Sequence, residues 1–177
     1  MVERANETKV DAEFSASEFR SVCGSFPTGV TVVTRRLQNG TVYGMTVSSF
    51  TSVSLDPPLI LVCIDRKAGF VEALEPGTPF AVNVLSEDQQ WLARRFSDHK
   101  ERERFACVSW HAGWRGVPIL DQISAAFRCS AHDIIPAGDH LVLIANVHGV
   151  LKFGTRPLVW CERRYHCLPS IELEGTT

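Results

Sequence analysis

The feature that most constrains this fold is the series of β-branched and aromatic segments that fills the chain after Val30. Residues of this kind favour strands, and seven segments have this composition. They are residues 30–34, 41–50, 59–65, 80–85, 123–134, 140–153 and 157–168. Asn39-Gly40, between the first two, is typical of a two-residue hairpin because both residues tolerate positive φ. The sequence therefore predicts a succession of strands over most of the chain.

Clear helix signals occur at two places. Ser15 and Glu18 have capping-box spacing, in which each side chain bonds to the backbone amide of the other residue. Ser86 and Gln89 repeat the pattern before a helix predicted at 87–96. Because helices do not alternate regularly with strands, a doubly wound parallel sheet is disfavoured. The pattern predicts a mainly β protein, a closed or nearly closed antiparallel barrel with a few helices packed outside.

A chain of 177 residues favours one domain. We expect this domain at residues 15–168, between a flexible N-terminal tail at 1–14 and a flexible C-terminal tail at 169–177. Within the domain, residues 68–74 are a short helical candidate. The charge-rich stretch 97–104 is predicted to be an exposed loop.

Charge and hydropathy exclude several classes of partner. The net charge is −2 and the charges are interspersed, so neither a nucleic-acid surface nor an anionic-membrane surface is indicated. The apolar stretches are too short to span a bilayer, and the N-terminus lacks the apolar core of a signal peptide. We therefore expect a cytoplasmic protein.

The six cysteines show no CxxC spacing and mostly lie in apolar runs, which favours buried, reduced thiols over a metal site or disulfides.

Motifs of several common enzyme classes are absent from the sequence. It contains no GxGxxG, no phosphate loop ending in Gly-Lys-Ser/Thr, no GxSxG and no HExxH. This argues against a Rossmann dehydrogenase, an NTPase, an α/β-hydrolase and a zincin.

The most informative segment is residues 43–58, which places six Ser and Thr hydroxyls in one strand and turn. Because a hydroxyl both donates and accepts, such a row suits a polyhydroxyl chain, a pyrophosphate or the polar edge of a heteroaromatic ring. Judged by spacing alone, an ordinary edge strand with a solvated polar face is favoured over a ligand site.

Two further segments have an ordinary interpretation and a functional one. Residues 136–140 form a tight turn that delivers His140 to the start of a strand, where its side chain can reach a ligand. The alternative is a surface turn capped by Asp139. Residues 162–168 combine aromatic and basic residues that could flank a cofactor, although this is also a common pattern at the end of a strand.

Five segments in a fixed order resemble the flavin reductase-like family, the reductase components of two-component flavin monooxygenases. They are FPTGVTVVT at 26–34, GMTVSSF at 44–50 with its continuation to Pro58, FAVNVL at 80–85, AGDH at 137–140 and RYH at 164–166. The resemblance extends from Phe19 to about Leu168. It implies a split β-barrel with a few flanking helices and a homodimer, with flavin near the subunit interface.

The resemblance also implies a set of cofactor-binding residues. Those that border the flavin are Met45, Thr46, Val47, Ser48, Ser49, Cys63, Ile64, Asp65, Asn83 and Phe96, with Lys67 placed to meet a phosphate. His140 and Tyr165 match positions that border the nicotinamide nucleotide, with Thr28 close by.

The activity implied is NADH-dependent reduction of free flavin, FAD or FMN, for a separate monooxygenase that receives it by diffusion. Hydride passes directly between the two cofactors, so neither a catalytic residue nor a metal is required. Two alternatives remain: a split-barrel flavoprotein with tightly bound FMN that acts on its own substrate, or a non-catalytic module that binds flavin or haem. FAD is preferred slightly over FMN, and the choice between NADH and NADPH stays open.

Overall fold

The first predicted helix forms, but it leaves its apolar residues exposed. In the computed structural model, which describes residues 13–169, Ser15 and Glu18 make both hydrogen bonds of the capping box, at 2.8 and 3.1 Å. Helix α1 (Ala16–Gly24) begins there and contains no buried residue. Phe19 is 56% exposed and Val22 is 74% exposed. The helix is confirmed, and its apolar face remains uncovered in a single chain.

The second predicted helix packs closely onto the sheet. The Ser86 amide donates to Gln89 Oε1 at 3.0 Å, and the capping box starts a 3-10 turn. This turn leads into α2 (Gln90–Ser97), which buries Leu92 and Phe96. Burial of this amphipathic face, rather than intrinsic propensity, stabilises so short a helix.

Twelve antiparallel strands account for just under half of the described residues. They are β1 (Thr28–Gly29), β2 (Thr31–Arg36), β3 (Val42–Val47), β4 (Thr51–Leu55), β5 (Pro58–Asp65), β6 (Pro79–Val84), β7 (Trp110–Ala112), β8 (Pro118–Leu120), β9 (Ala125–Ala137), β10 (His140–Lys152), β11 (Leu158–Cys161) and β12 (Arg164–Cys167). Seven strands form one sheet in the order β3-β2-β6-β9-β10-β5-β4, so β3 and β4 are its edges. Strands β1, β11 and β12 form a second sheet, and β7 and β8 form a small hairpin. The mainly β prediction is confirmed.

Both faces of the sheet are buried at strands β2 and β6. Val32 and Ala81 belong to a core cluster that includes residues of α2 and β8. The adjacent Val33 and Phe80 belong to a second cluster, together with residues of β5, β9 and β10. Because successive side chains of a strand point to opposite faces, the apolar runs of β2 and β6 supply both clusters.

One predicted strand is shorter than expected, and another is divided in two. The segment predicted at 41–50 ends at Val47, and the next strand begins only at Thr51. The segment predicted at 157–168 is a hairpin, in which Glu162 and Arg163 adopt φ of 47° and 61°. Positive φ at both central residues is the geometry of a type I′ turn, which Glu and Arg do not signal in sequence.

The Asn39-Gly40 hairpin forms with a different turn from the one predicted. The Gly40 amide donates to the Leu37 carbonyl at 2.9 Å, and the Leu37 amide donates to Thr41 at 2.8 Å. Of residues 38–40, only Gly40 has positive φ, at 85°. The connection is therefore a three-residue turn with glycine in the left-handed position.

Other expectations are met only in part. The 68–74 helix is reduced to the 3-10 turn Gly69–Val71. All six cysteines are free thiols, but only Cys129 is buried, and there burial raises its pKa to about 12. The expected flexible tails lie outside the described residues, apart from residues 13, 14 and 169.

Among residues 13–169, no helix has the length and apolar character that crossing a membrane requires.

Candidate functional site

Three neighbouring cavities form one groove. The first encloses about 440 Å³ and shares Thr46 and Ser97 with a middle cavity of about 300 Å³. The middle cavity shares Ser48 and Trp160 with a third cavity of about 400 Å³. We refer to these three cavities, which share lining residues, together as the groove.

The first cavity collects six of the predicted cofactor-binding residues. They are Met45, Thr46, Asp65, Lys67, Phe96 and His140. The pairing of β5 with β10 places Asp65 opposite His140. The Asp65 carboxylate accepts a hydrogen bond from the Lys67 amide at 2.8 Å, which orders the turn after β5. The end of β5 and the start of β10 thus contribute to the same cavity.

The turn before β10 holds the His140 ring against Asp139. His140 Nδ1 and Asp139 Oδ1 are 2.7 Å apart. This hydrogen bond is the main reason that the pKa of the Asp139 carboxyl lies below its ordinary value, with smaller contributions from the charges of His140 and Lys67. The carboxylate therefore stays ionised near neutral pH and orients the imidazole.

The wall formed by α2 depends on an unusually close approach to β3. Thr46 Oγ1 donates to the Ala93 carbonyl at 2.7 Å. A Cβ at Gly44 would lie 2.6 Å from Phe96 Cε1. A glycine inside a strand is the sequence signal for such an approach. It explains how Phe96, which is almost fully buried, still reaches the cavity.

Arg104 and Tyr43 also line the first cavity, and the sequence analysis did not single them out. Arg104 Nη1 donates to the Gly44 carbonyl at 3.0 Å and to the Tyr43 hydroxyl at 3.3 Å. Its guanidinium lies 5.6 Å from the centre of the Tyr43 ring. Arg104 Nη2 donates to the Asp98 carbonyl at 2.9 Å. The charged segment 97–104 is largely exposed, as predicted, and its last residue, Arg104, is partly buried and attaches it to β3.

Thr28, Trp160 and Tyr165 form a row across the small sheet. The strand pairing places Thr28 opposite Trp160, and Trp160 opposite Tyr165. The Trp160 and Tyr165 rings meet edge to face with centroids 4.7 Å apart. Burial raises the pKa of the Tyr165 hydroxyl, and the Arg94 guanidinium lies 5.7 Å from the ring centre. Tyr165 lines the middle cavity and Thr28 lines the third.

The structure separates His140 from Thr28 and Tyr165, although the resemblance assigns all three to the nicotinamide nucleotide. His140 lines the first cavity, and the other two lie beyond Thr46 and Ser48 in the middle and third cavities. Within one chain, the three side chains do not form a single cluster.

Three predicted residues have side chains in the core instead of the groove. Asn83, Ile64 and Val47 are buried, the first two at 0% exposure. Asn83 Nδ2 donates to the Val32 carbonyl and to Thr34 Oγ1, and its Oδ1 accepts from the Leu120 amide, each at 3.0 Å. These bonds join β2, β6 and β8. We therefore reassign the Asn83 side chain from cofactor contact to the core.

Ser49 and Cys63 are bonded to each other. Ser49 Oγ accepts from the Cys63 amide at 2.8 Å and donates to the Cys63 carbonyl at 3.1 Å. The last ladder pair between β4 and β5 is Thr51 with Leu61. The Ser49 hydroxyl thus bonds to the backbone of β5 just beyond the N-terminal end of β4, where the ladder between the two strands stops.

Comparison with known proteins assigns the chain to a family. The Flavin reductase like domain matches residues 23–169. The reductase subunit of stachydrine N-demethylase from Rhizobium meliloti is 40% identical over 164 residues, which cover 93% of this chain and 70% of that protein. The reductase component of the flavin-dependent trigonelline monooxygenase from Acinetobacter baylyi is 37% identical over 147 residues, 83% of this chain. This chain spans about half the length of that relative, 47%.

A solved structure agrees over almost the whole chain. The NADH:FAD oxidoreductase of Streptomyces globisporus has a TM-score of 0.81 and 33% sequence identity, with 97% of this chain and 98% of that chain covered. The residues matched by the family include every residue that lines the groove except Arg20. The protein therefore belongs to the flavin reductase-like family.

Proposed function

We propose that this protein uses NADH to reduce free flavin, FAD or FMN, and supplies the reduced flavin to a separate monooxygenase. The observation that carries the proposal is the groove, which brings six of the predicted cofactor-binding residues into its first cavity, in a chain of this family. Similar proteins are named as reductase components of oxygenases and as an NADH:FAD oxidoreductase.

The residues of the first cavity fit a flavin. Tyr43 and Met45 offer apolar surface for a flat ring system, and Thr46 offers a hydroxyl. Lys67, at one end, supplies a cation that suits a phosphate. A volume of about 440 Å³ is in the range of cavities that hold cofactor-sized ligands.

The remaining assigned residues fit the nicotinamide nucleotide. Tyr165 and Thr28 lie along the continuation of the groove, and His140 lies at the first cavity. The two cofactors supply the hydride chemistry when they are bound. The residues of this chain hold the two rings in contact and shield them from water. Cations and amides near the flavin would stabilise the negative charge that develops on reduction.

We further propose that residues 15–168 form one domain, that its seven-stranded sheet curls into a split barrel, and that two chains form a homodimer. The dimer is supported by the apolar face of α1, to which Phe26 adds a side chain that is 73% exposed. Exposed apolar surface of this kind marks an association site.

Steady-state NADH oxidation with FAD, FMN and riboflavin in parallel tests the function. We expect a colourless purified protein that oxidises NADH only when flavin is added. A yellow protein whose flavin survives gel filtration would favour a prosthetic flavin instead. No NADH turnover with any of the three flavins would favour a binding module and overturn the proposal.

A further inference from the structure

The third cavity lies between α1 and the β11–β12 hairpin, at the end of the groove opposite Lys67. It is lined by Arg20 and Cys23 of α1, by Arg163 of the hairpin turn, and by Phe26 and Trp160. The Glu162 amide donates to the Gly24 carbonyl at 2.7 Å, which fixes the hairpin turn to the end of α1. The two arginines therefore face one cavity from two elements that are joined by a hydrogen bond.

These arginines have no acidic partner among the described residues. The ion pairs within 4.0 Å in residues 13–169 involve neither Arg20 nor Arg163. Glu18, on the same helix as Arg20, is committed to the capping box with Ser15. Glu162, beside Arg163 in the turn, pairs with neither arginine. Within residues 13–169, the two arginines of the cavity are therefore not engaged in ion pairs.

One exposed hydroxyl adds to this polar set. Ser48 is exposed at the boundary with the middle cavity. Thr28 also lines the third cavity, but its Oγ1 is buried and not open to a ligand there. Two guanidinium groups with a nearby hydroxyl are donors that bind phosphate oxygens well. The Phe26 and Trp160 rings offer apolar surface for a ribose or a base.

We infer that the third cavity binds a phosphate of the pyridine dinucleotide through Arg20 and Arg163. The inference rests on the proposed function, because it takes the dinucleotide to be the second substrate. A ligand anchored here passes Ser48 and Tyr165 before it reaches Thr46 and the first cavity. The phosphate has two possible sources, the pyrophosphate common to NADH and NADPH or the 2′-phosphate of NADPH alone.

The test uses Arg20→Gln, Arg163→Gln and the double variant, with Lys152→Gln as the control for loss of a surface cation. Lys152 is exposed at the end of β10 and lines none of the three cavities. The KM for NADH and for NADPH is measured with riboflavin as the acceptor, because riboflavin carries no phosphate. Each single substitution should raise the dinucleotide KM roughly tenfold, since it removes a charge-assisted bond. The riboflavin KM should change less than about twofold, and the control should match the wild type.

The pattern across the two dinucleotides identifies the phosphate. Equal losses for NADH and NADPH assign it to the pyrophosphate, and a loss confined to NADPH assigns it to the 2′-phosphate. An unchanged KM for both dinucleotides overturns the inference. So does a loss confined to the KM for FAD, because it would place a flavin phosphate there.

Direct binding separates failure of this inference from failure of the proposed function. Isothermal titration with NADH and with 2′,5′-ADP needs no turnover and can be performed on wild type and on both single variants. If the wild type binds NADH and the variants bind it as tightly, the inference fails while flavin reduction can still be observed. If the wild type reduces no flavin but the variants lose dinucleotide affinity, the function fails and the phosphate site stands.

Discussion

At the scale of single residues, the hydroxyl-rich segment divides into two kinds of side chain. The Ser48 side chain is exposed in the groove, whereas Ser49 has its hydroxyl bonded to the backbone of Cys63. The two neighbours therefore differ in role, one facing a ligand site and the other closing a strand edge. The family resemblance assigns both residues to flavin, and sequence does not separate them, because a hydroxyl can bond either to a ligand or to the backbone.

Ser49→Ala should therefore destabilise the fold while Ser48→Ala should not. Removing the Ser49 hydroxyl leaves the partly buried Cys63 amide without its partner, which costs about 1–2 kcal/mol in the free energy of unfolding. Ser48→Ala should change it by less than about 0.5 kcal/mol, as is usual for an exposed site. Urea denaturation followed by circular dichroism measures both values. If both substitutions lowered the free energy of unfolding equally, Ser48 and Ser49 would not differ in role.

His140 provides a second prediction at this scale. His140→Ala should raise the KM for NADH several-fold, because a hydrogen bond worth about 0.5–1.5 kcal/mol, or more if charged, is lost. The flavin KM and the melting temperature should stay nearly unchanged, since the side chain is partly exposed at the cavity. Lys67, which is proposed to bind a flavin phosphate, lines the same cavity as His140. A rise in the flavin KM alone would therefore place His140 at the flavin and not at the nicotinamide nucleotide.

At the scale of elements, the contact between α2 and β3 sets the shape of the first cavity. The helix brings Phe96 to the cavity wall, and its Ala93 carbonyl accepts the hydrogen bond from Thr46. The absence of a side chain at Gly44 permits this spacing, since Phe96 Cε1 occupies the region that a Cβ would need. Helix position and cavity shape are therefore coupled through one glycine.

Gly44→Ala should push α2 away from β3 and weaken flavin binding. Overpacking of this kind costs about 1–3 kcal/mol in the free energy of unfolding. Gly29→Ala is the matched control, because no heavy atom lies within 4 Å of the Cβ it would gain. Thermal denaturation and flavin fluorescence titration report the two effects. A Gly44→Ala protein as stable as Gly29→Ala would show that α2 is not held this closely.

At the scale of the whole molecule, the uncovered face of α1 indicates association. Phe14 stacks on Phe19 with ring centroids 5.8 Å apart, and Val22 and Phe26 extend the exposed apolar surface. Burial of a single Val or Phe side chain contributes about 1.5–3 kcal/mol, so covering this face with a second chain would be favourable. Because α1 also supplies Arg20 to the third cavity, dimer contacts on this helix would affect the groove.

Light scattering at micromolar concentration should give about twice the chain mass of 19.7 kDa. Val22→Glu should shift the mass towards the monomer, because it places a charge on the apolar face. Ser21→Glu adds the same charge at an exposed position on the same helix and should leave the dimer intact. A wild-type mass near 19.7 kDa would contradict the homodimer.

Sequence by itself determined the features that depend on local chemistry. Both capping boxes form, because the two residues of each pair are three positions apart and each side chain bonds to the backbone amide of the other. Strand composition predicted the β-rich architecture, and the order of five segments indicated the family that the comparisons confirm. Six residues assigned from that resemblance meet in the first cavity.

Only the tertiary structure decided which of these side chains face the groove and which additional ones join them. Asn83 and Ser49 are committed to backbone partners on other strands, and those partners are set by strand register, not by local pattern. Arg20 and Arg163 line the same cavity because the Glu162 amide in the hairpin turn is bonded to Gly24, which lies 138 residues earlier at the end of α1. Pairings across such separations are decided when the sheets assemble, because each depends on burial and hydrogen bonds that exist only in the folded chain.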